Sequence, residues 1–370
     1  MNEKKSYERY QRQMLLKEIG EAGQQKLLQS KVLVIGAGGL GCPALQYLAA
    51  AGIGTVGIAD DDVVSLTNLH RQVLFSTADI GLSKAHRATA VLKSLNPDIE
   101  IIPYNFRITN QNALDIINEY DLIVDGTDNF SSRYIINDAC VLLNKPLVYA
   151  AISRFEGQVA IFNYNGDKNE KPVNYRDLFP NPPLDDEVMN CSVAGVLGVL
   201  PGIIGSMQAN ETIKLITGIG QPLINRLLTY NALNNQSYEM SLSASDETAS
   251  FIPKDENAFK NFDYDRACSA DNSFEIDANQ FNTLLQKNNI TVIDVREFDE
   301  QPLITEFPHL HIPLKQLSEK TSLLNGDILI TFCQSGGRSM QAAKFLFDTF
   351  GAIKKVYSLK DGILSWKPEA

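Results

Sequence analysis

A hydrophobic strand followed by a glycine-rich turn, at residues 31–41, constrains the fold of this chain more than any other segment. Its sequence, KVLVIGAGGLG, begins with successive aliphatic residues, which is typical of a parallel strand buried on both faces. Gly36, Gly38 and Gly41 then follow the spacing G-x-G-x-x-G, and an alanine-rich apolar run predicts a helix directly after them. Glycine is needed in such a turn because phosphate oxygens must approach backbone N–H groups at the helix N-terminus. The segment therefore predicts a nucleotide-binding strand, turn and helix.

A second predicted strand, residues 55–59, ends on three consecutive aspartates, Asp60, Asp61 and Asp62. In a dinucleotide-binding βαβ unit, an acidic residue at about this distance from the glycine turn binds the ribose. The glycine motif by itself is weakly specific, so an NAD-linked oxidoreductase remains an alternative. That alternative lacks any candidate residue for hydride chemistry in this sequence.

Strand and helix patterns alternate from residue 31 to residue 150, which predicts an α/β fold with a doubly wound, mostly parallel sheet. Residues 157–162 and 226–241 predict further strands, which we expect to be antiparallel. Before the glycine turn, apolar residues at helical spacing predict one helix over residues 6–30.

The chain is long enough for two domains, since it has 370 residues. We predict a nucleotide-binding domain over residues 1–240 and a second, small α/β domain over residues 276–370. Residues 241–275 are rich in Ser, Asp and Asn and predict a linker. In the second domain, a strand over residues 327–332 is followed by a helix over about 338–349.

Charge and cysteine usage exclude several classes of protein. The net charge of −11 argues against nucleic-acid binding, which requires clustered Lys and Arg. The sequence contains no apolar run long enough to span a membrane and no signal-peptide pattern near residue 1. The five cysteines are far apart, which predicts reduced thiols and a cytoplasmic protein. Cys42 and Cys140 lie in apolar helical patterns and are predicted to be core residues, whereas Cys268 has no assignable role.

Polar residues follow the carboxyl ends of several predicted strands and would meet in one crevice of an open α/β sheet. The cations suit phosphate, and the carboxylates suit ribose and magnesium. These residues are Asp62, Asn68, Arg71, Lys84 and Asp128.

Cys333 is the best candidate for a nucleophile. It begins the loop C-x-x-G-G-R-S, in which Gly336 and Gly337 precede Arg338 at a predicted helix start. Backbone N–H groups, the helix dipole and the arginine are expected to lower the pKa of the thiol and to cradle a persulfide. The alternative is a buried structural cysteine at a strand end.

Residues 7–240 resemble the adenylyltransferases that activate ubiquitin-like sulfur carriers, the molybdopterin-synthase and thiamine-pathway branch of the ubiquitin-activating superfamily. The matching segments are RYQRQ at 9–13, GAGGLG at 36–41, DDDVVSLTNLHRQ at 60–72, GLSK at 81–84, DGTDN at 125–129 and NCSVAGVLG at 190–198. Residues 275–370 resemble a rhodanese sulfurtransferase. The matching segments there are VIDVRE at 292–297, HIPL at 311–314, CQSGGRS at 333–339 and LKDGILSW at 359–366.

The resemblance implies a role for each motif residue. ATP would lie on the glycine turn, formed by Gly36, Gly38, Gly39 and Gly41. Asp62 would bind the ribose, with Asp60 as a further ATP-binding residue, and the phosphates would contact Asn68, Arg71 and Lys84. Asp128 would hold Mg²⁺, and Arg12 would reach in from a second subunit of a homodimer.

The resemblance also implies the reaction. The C-terminal glycine carboxylate of a sulfur carrier ending in Gly-Gly would attack the α-phosphate of ATP, giving an acyl-adenylate and pyrophosphate. Cys333 would then deliver persulfide sulfur, obtained from a cysteine desulfurase persulfide or from thiosulfate, and a thiocarboxylate would form. The sequence leaves open whether the carrier serves molybdopterin or thiamine synthesis. A sulfur-relay or scaffold protein with a degenerate nucleotide site is the alternative.

Two further expectations concern cysteines. Cys191 is either a small core residue or, as in the family, the residue that links covalently to the activated carrier, and the sequence leaves both interpretations open. Many relatives carry a structural zinc on two C-x-x-C pairs, but residues 172–177 and 241–246 contain no cysteine. Because tetrahedral zinc needs four ligands, we predict no zinc site.

Overall fold

The computed structural model describes residues 7–164, 166, 171–180, 195–264 and 274–366. The chain divides into two compact units, Met1–Asn261 and Phe262–Ala370, each with its own sheet. Within the described part of the chain, no helix is both long enough and apolar enough to cross a membrane.

The first unit alternates strands and helices over most of its length. Its strands are β1 (Lys31–Ile35), β2 (Thr55–Ala59), β3 (Glu100–Tyr104), β4 (Leu122–Asp125), β5 (Leu147–Ser153), β6 (Glu156–Phe162), β7 (Arg226–Asn231) and β8 (Gln236–Ser241). Its helices are α1 (Gln11–Met14), α2 (Gly20–Gln29), α3 (Gly41–Ala51), α4 (Lys84–Leu95), α5 (Ala113–Asn118), α6 (Phe130–Leu143), α7 (Tyr175–Leu178), α8 (Val199–Thr217), α9 (Asp246–Ala249) and α10 (Glu256–Asn261).

The sheet of the first unit has the order β3-β2-β1-β4-β5-β6-β7-β8. Strands β1 to β5 pair in parallel, and β5 to β8 pair antiparallel. The predicted doubly wound sheet with added antiparallel strands is therefore confirmed. Because the chain runs outward in one direction from β1 to β3 and in the other from β4 onward, a crevice opens between the carboxyl ends of β1 and β4.

The core of this unit follows from the aliphatic strand at its centre. Val32, Leu33 and Val34 of β1 are fully buried, and Leu45 and Leu48 of α3 are buried in the same unit. Each such side chain contributes roughly 1.5–3 kcal/mol when it is removed from water. This packing fixes the glycine turn between β1 and α3.

The prediction of one helix over residues 6–30 is wrong, because α1 and α2 are separate. Gly20 has a left-handed φ of +52°, which an uninterrupted right-handed helix cannot contain. The buried side chain of Tyr10 anchors the first segment, since its hydroxyl accepts a 2.8 Å hydrogen bond from Nδ2 of Asn96. Tertiary burial of this one tyrosine therefore overrides the helical periodicity.

Part of the predicted linker is ordered on the first unit. The short helices α9 and α10 lie within residues 241–275, and Phe259 of α10 is fully buried. Lys260 accepts hydrogen bonds at its backbone carbonyl from the side chains of Asn110 and Gln111, at 2.8 and 2.7 Å. These contacts attach α10 to the main body of the unit.

The second unit is a small α/β domain, as predicted. Its strands are β9 (Glu275–Ile276), β10 (Ile290–Asp294), β11 (Leu310–His311), β12 (Ile328–Phe332) and β13 (Lys355–Leu359), and its helices are α11 (Ala278–Leu285) and α12 (Gly337–Phe350). The strands pair in parallel in the order β11-β10-β12-β13-β9. Buried residues such as Phe281, Leu329 and Leu346 form cores on the faces of this sheet.

Candidate active sites

A cleft of about 880 Å³ lies at the carboxyl ends of the parallel strands of the first unit. It brings together most of the side chains that the motifs predicted. The predicted residues that line it are Gly36, Gly38, Gly39, Asp60, Asp62, Asn68, Arg71, Lys84 and Asp128. Gly41 supports the glycine turn from α3, and Arg12 does not line the cleft of its own chain.

The glycines of the turn differ in what their missing side chain makes possible. Gly36 has a φ of +92°, and a Cβ there would lie 2.8 Å from the carbonyl oxygen of Gly126. A Cβ on Gly41 would lie 1.9 Å from the carbonyl oxygen of Gly36. A Cβ on Gly38 would meet only the side chain of Gln72, at 3.8 Å. Gly36 and Gly41 therefore permit the close packing of β1, α3 and the loop after β4, whereas Gly38 leaves the turn open to a ligand.

The aspartates after β2 have different partners. Asp60 accepts hydrogen bonds from the backbone N–H groups of Ala37 (2.7 Å) and Asp62 (2.9 Å) and so braces the glycine turn. Burial raises the pKa of the Asp60 carboxyl, although Lys84 and these N–H groups act in the opposite direction. Asp62 is 70% exposed and forms a 2.8 Å ion pair with the buried Nζ of Lys84. The acid predicted for ribose and the lysine predicted for phosphate thus contact each other.

The segment that follows β2 presents Arg71 to the cleft. The short 3₁₀ helix Leu66–Asn68 ends where the carbonyl of Asn68 accepts hydrogen bonds from the N–H groups of Arg71 and Gln72, at 3.0 and 2.9 Å. Nη1 of Arg71 donates to the carbonyl oxygen of Thr67 (3.2 Å) and lies 3.0 Å from Nε2 of His70. The guanidinium is therefore held at the rim of the cleft.

Asp128 lies in a turn that directly follows β4. Oδ1 of Asp125 accepts hydrogen bonds from the N–H and the hydroxyl of Thr127, at 2.9 and 2.7 Å. Asn129 caps α6 by accepting a hydrogen bond from the N–H of Ser132 at 2.9 Å. Asp128, between these two fixed residues, is exposed and lines the cleft.

Several residues that line the cleft were not predicted from the sequence, and four of them are large side chains beyond the predicted motifs. Phe106, Arg107 and Ile108 line it from the loop after β3, and no motif marks that loop. Arg133 lines it from α6 and is only 8% exposed. The position of Arg133, in the first turn of an apolar helix that begins at the DGTDN turn, is the one sequence signal that could have identified it.

The cysteine-free segments 172–177 and 241–246 are joined by Asp177. One carboxylate oxygen of Asp177 accepts hydrogen bonds from the backbone and side-chain nitrogens of Asn174, at 2.8 and 2.7 Å. The other accepts from the N–H of Ser245 at 3.0 Å and from the hydroxyl of Thr248. Among the described residues, no group of three or more His, Cys, Asp or Glu side chains is arranged to hold a metal ion.

We expect Asp177→Ala to lower the midpoint of thermal unfolding (Tm) by roughly 5 °C, because about 2 kcal/mol is lost when several hydrogen bonds to one carboxylate are removed. Differential scanning fluorimetry checks this, and metal analysis of the same protein is expected to find no stoichiometric zinc. Asp246→Asn is the matched control. The Asp246 side chain is fully exposed, so loss of its ion pair with Lys171 should leave Tm unchanged. A large fall in Tm on adding a zinc chelator to the wild type would contradict this account.

Cys333 lies at the end of β12, in a loop that closes onto α12. Its Sγ accepts a hydrogen bond from the N–H of Ser339 at 3.3 Å and lies 3.4 Å from the hydroxyl of that residue. Burial by itself would raise the pKa of the thiol. The hydroxyl and N–H of Ser339 lower it, as do the N–H groups of Ser335 and Gly336, and the net pKa lies below the usual value.

All three described cysteines are buried, and the other two differ from Cys333 in the pKa of the thiol. Cys42 and Cys140 are fully buried, which confirms the prediction that they are core residues. Burial raises the pKa of Cys42 to about 12 and that of Cys140 well above its usual value. Among the described thiols, Cys333 alone is therefore poised to ionise. Cys191 and Cys268 lie outside the described residues.

Arg338 of the same loop forms an ion pair that the sequence did not predict. Its Nη1 and Nη2 donate to the two carboxylate oxygens of Glu300, at 2.5 and 2.7 Å. The hydrogen bonds from Arg338 lower the pKa of the Glu300 carboxyl to about 2, although burial acts in the opposite direction. The pair therefore stays charged. The direct contacts of the Cys333 sulfur come from Ser339 and backbone N–H groups, whereas Arg338 is oriented by Glu300.

The segment Asp361–Ile363 closes the loop from the other side. Asp361 and Gly362 have left-handed φ angles of +59° and +71°, and a Cβ on Gly362 would lie 2.4 Å from the carbonyl oxygen of Gln334. The N–H of Ile363 donates to the carbonyl oxygen of Cys333 at 2.8 Å. Aspartate is one of the few residues other than glycine that tolerate this left-handed conformation.

Comparison with known proteins finds two family matches that together cover most of the chain. The family model described as the ThiF family matches residues 10–250, and the model described as the rhodanese-like domain matches residues 277–369.

Similar proteins carry names that refer to both activities. The sulfur carrier protein adenylyltransferase of Thermus thermophilus is 50% identical over 230 residues, which are 62% of this chain and 85% of that protein. The probable adenylyltransferase/sulfurtransferase MoeZ of Mycobacterium tuberculosis is 39% identical over 375 residues, covering 97% of this chain and 92% of that protein. Adenylyltransferase and sulfurtransferase MOCS3 of Arabidopsis thaliana is 39% identical over 396 residues, covering 97% and 82%.

Solved structures support the fold of the first unit. The crystal structure of Escherichia coli MccB with AMPCPP and MccA has a TM-score of 0.57 and 24% identity, and it covers 64% of this chain and 72% of that one. At this identity, the similarity shows the fold alone.

Proposed function

The chain belongs to the ThiF family and continues into a rhodanese-like domain, and from this premise we propose that it adenylates the C-terminal glycine of a ubiquitin-like sulfur carrier protein and then converts it to a thiocarboxylate. It is an adenylyltransferase with a sulfurtransferase domain, as its relatives are named. One observation carries the proposal. A cleft that contains the glycine turn, the cations Arg71 and Lys84 and the exposed carboxylate of Asp128 occurs in the same chain as the Cys333 loop, in which the thiol pKa is lowered.

In the proposed adenylation site, ATP lies on the glycine turn, with its ribose near Asp62 and its phosphates near Asn68, Arg71 and Lys84. The open side of Gly38 leaves room for the phosphates. Lys84 is already paired with Asp62, so its Nζ is oriented toward the cleft before a ligand enters. A second carboxylate, Asp60, holds the turn itself and keeps its N–H groups in place.

The carrier's terminal carboxylate attacks the α-phosphorus of ATP, the bond to pyrophosphate breaks, and an acyl-adenylate forms. The protein contributes positioning of the two reactants and stabilisation of charge on the leaving pyrophosphate. Arg71 and Lys84 line the cleft and can stabilise that charge.

Magnesium fits the residues of the cleft, because Asp128 offers an exposed carboxylate and Mg²⁺ prefers oxygen ligands. We propose that Asp128 holds it together with the phosphates of ATP, where it would neutralise developing charge on pyrophosphate. Asp125 is not a candidate ligand, since it is fully buried and its Oδ1 is bonded to Thr127.

In the second unit, we propose that the Cys333 thiolate accepts a sulfur atom and holds it as a persulfide. The N–H groups that lower the thiol pKa would also stabilise the persulfide anion. The terminal sulfur then attacks the carbonyl carbon of the acyl-adenylate, AMP leaves, and the carrier is joined to Cys333 as an acyl disulfide. Attack of a second thiolate on the Cys333 sulfur breaks the S–S bond, releases the carrier thiocarboxylate and leaves a disulfide, which an external thiol reduces. Cys191 is proposed as the further residue that links covalently to the carrier, and a cysteine desulfurase persulfide or thiosulfate as the sulfur donor.

The setting of the enzyme is also a proposal. The free thiols of Cys42, Cys140 and Cys333 support a cytoplasmic location. Molybdopterin and thiamine synthesis are the two pathways we propose for the carrier.

ATP–pyrophosphate exchange tests the proposal, with the purified chain and carriers that end in Gly-Gly. Carrier-dependent exchange is expected, followed by thiocarboxylate formation when a sulfur donor is added and the carrier is analysed by mass spectrometry. A scaffold or relay protein with a degenerate nucleotide site would show thiosulfate sulfurtransferase activity without exchange. Binding of NAD in place of ATP would point to the oxidoreductase instead.

We further propose a homodimer in which Arg12 completes the partner's cleft. Arg12 is exposed on α1, close in sequence to the buried anchor Tyr10, and does not line its own cleft. Mixed dimers of Arg12→Ala and Asp128→Ala subunits are expected to recover about half of the wild-type exchange rate, because one of their two sites contains both residues. Verified mixed dimers as inactive as the parents would contradict the shared site.

A further inference from the structure

A buried arginine, Arg133, lies beneath the turn that carries Asp128. It belongs to the first turn of α6, is 8% exposed and lines the cleft. Its guanidinium packs against the rings of Phe130 and Tyr149, with centroid distances of 5.6 and 5.8 Å.

The guanidinium is held by one hydrogen bond to the backbone of the turn and by electrostatic interactions with its neighbours. Nη2 donates to the carbonyl oxygen of Thr127 at 3.2 Å, and the phenol of Tyr175 lies close enough to the guanidinium to interact with it electrostatically. The buried carboxylate of Asp125 lies close enough to attract it. Within the described residues, Nε of Arg133 and Oδ2 of Asp125 have no hydrogen-bond partner.

Such a pair is costly to bury. Removing a charge from water costs several kcal/mol, and incomplete hydrogen bonding leaves part of that cost uncompensated. Apolar residues at both positions 125 and 133 would fill this space without the cost of burying charge. The arginine is therefore better explained by the geometry that it imposes than by stability.

That geometry concerns the peptide plane between Thr127 and Asp128. Because the peptide bond is planar, a fixed Thr127 carbonyl oxygen also fixes the Asp128 nitrogen and restricts its Cα. The N–H and hydroxyl of Thr127 are already bonded to Asp125. Arg133 fixes the remaining polar group of Thr127, its carbonyl.

We propose that Arg133 is a positioning residue of the adenylation site, which fixes the Thr127–Asp128 peptide plane and so holds the Asp128 carboxylate ready for the magnesium–nucleotide complex. The proposal rests on the proposed function, in which Asp128 binds the metal with ATP. A site ordered before binding loses less conformational entropy when the ligand arrives.

The test is the equilibrium binding of a non-hydrolysable ATP analogue to the full chain, measured by calorimetry with Mg²⁺ and with EDTA. Arg133→Lys keeps the positive charge near Asp125, but its shorter side chain loses the guanidinium hydrogen bond to the Thr127 carbonyl. We expect its Kd in Mg²⁺ to rise about tenfold, or about 1.4 kcal/mol. Its Kd in EDTA is expected to stay within about twofold of the wild type, since a positioning residue does not touch the nucleotide.

Arg176→Lys is the matched control. Arg176 is equally buried, lies 4.7 Å from the centroid of the Tyr134 ring and is paired with Asp138, but it does not line the cleft. This variant should lose thermal stability. Its affinity for the ATP analogue should still rise on adding Mg²⁺ as much as that of the wild type. Tyr175→Phe removes a hydroxyl that interacts electrostatically with the Arg133 guanidinium and leaves every buried charge in place. It should reduce the gain in affinity from Mg²⁺ about threefold, which keeps the test usable if Arg133→Lys does not fold.

Two outcomes would overturn the proposal. If folded Arg133→Lys keeps the full wild-type gain from Mg²⁺, Arg133 does not position Asp128. If its affinity falls equally in EDTA, Arg133 contacts the nucleotide directly. Failure of the proposed function is distinguishable from both, because the wild type itself would then bind no ATP analogue and show no exchange.

Discussion

Replacement of Asp128 by alanine is expected to abolish carrier-dependent ATP–pyrophosphate exchange while leaving the first unit folded. In the proposed mechanism this carboxylate holds magnesium at the phosphates, and loss of a catalytic metal ligand removes several kcal/mol of transition-state stabilisation. A loss of about 4 kcal/mol corresponds to a rate reduction of about 10³-fold. Because Asp128 is exposed, its truncation should leave the packing of the first unit intact.

Radioactive pyrophosphate exchange measures this effect, with circular dichroism and Tm as checks of folding. Asp61→Ala is a suitable control, because Asp61 is an exposed carboxylate that lines the same cleft and has no proposed role. It should retain exchange within a few-fold. A folded Asp128→Ala enzyme with near-normal exchange would remove Asp128 from the mechanism.

Cys333→Ala is expected to separate the two half-reactions. The variant should keep pyrophosphate exchange at the wild-type rate, because the glycine-turn cleft lies within the first unit and Cys333 belongs to the second. It should lose thiosulfate sulfurtransferase activity and carrier thiocarboxylation completely, since no other described thiol has a lowered pKa. Mass spectrometry of the carrier after incubation with ATP and a sulfur donor measures the second loss.

The chemistry of the thiol can be tested independently of the carrier. The rate of Cys333 alkylation should rise with pH around a midpoint below the usual thiol value, because the lowered pKa leaves more thiolate at neutral pH. Ser339→Ala removes the largest group that lowers this pKa, and its midpoint should therefore move to higher pH. Full thiocarboxylate yield from Cys333→Ala, with no other sulfurtransferase present, would overturn the assignment.

Much of the fold followed from short-range sequence patterns. The aliphatic run of β1, the glycine turn and the apolar start of α3 are adjacent in sequence, and each pattern reports the structure of its own element. The position of Asp128 followed as well, because a residue just after a parallel strand lies at the carboxyl edge of the sheet. The same reasoning located Cys333 after β12, at the start of a loop that leads into a helix.

The single-helix prediction over residues 6–30 was wrong for a related reason. Helical periodicity describes which side chains share a face, but it does not reveal what each of them packs against. The buried hydroxyl of Tyr10 accepts a hydrogen bond from Asn96, which is 86 residues away. That contact belongs to no local pattern. Tertiary burial of this kind can override the propensity of a short segment.

What the sequence by itself determined, then, is the order of elements and the residues placed at the strand ends. The tertiary structure alone decided which distant residues pair. Glu300 pairs with Arg338, 38 positions away, and Asp177 with Ser245, 68 positions away. It also decided that Arg133 lies beneath the Asp128 turn. Such pairs depend on how separate elements pack, and periodicity carries no information about contacts beyond one strand or one helical turn.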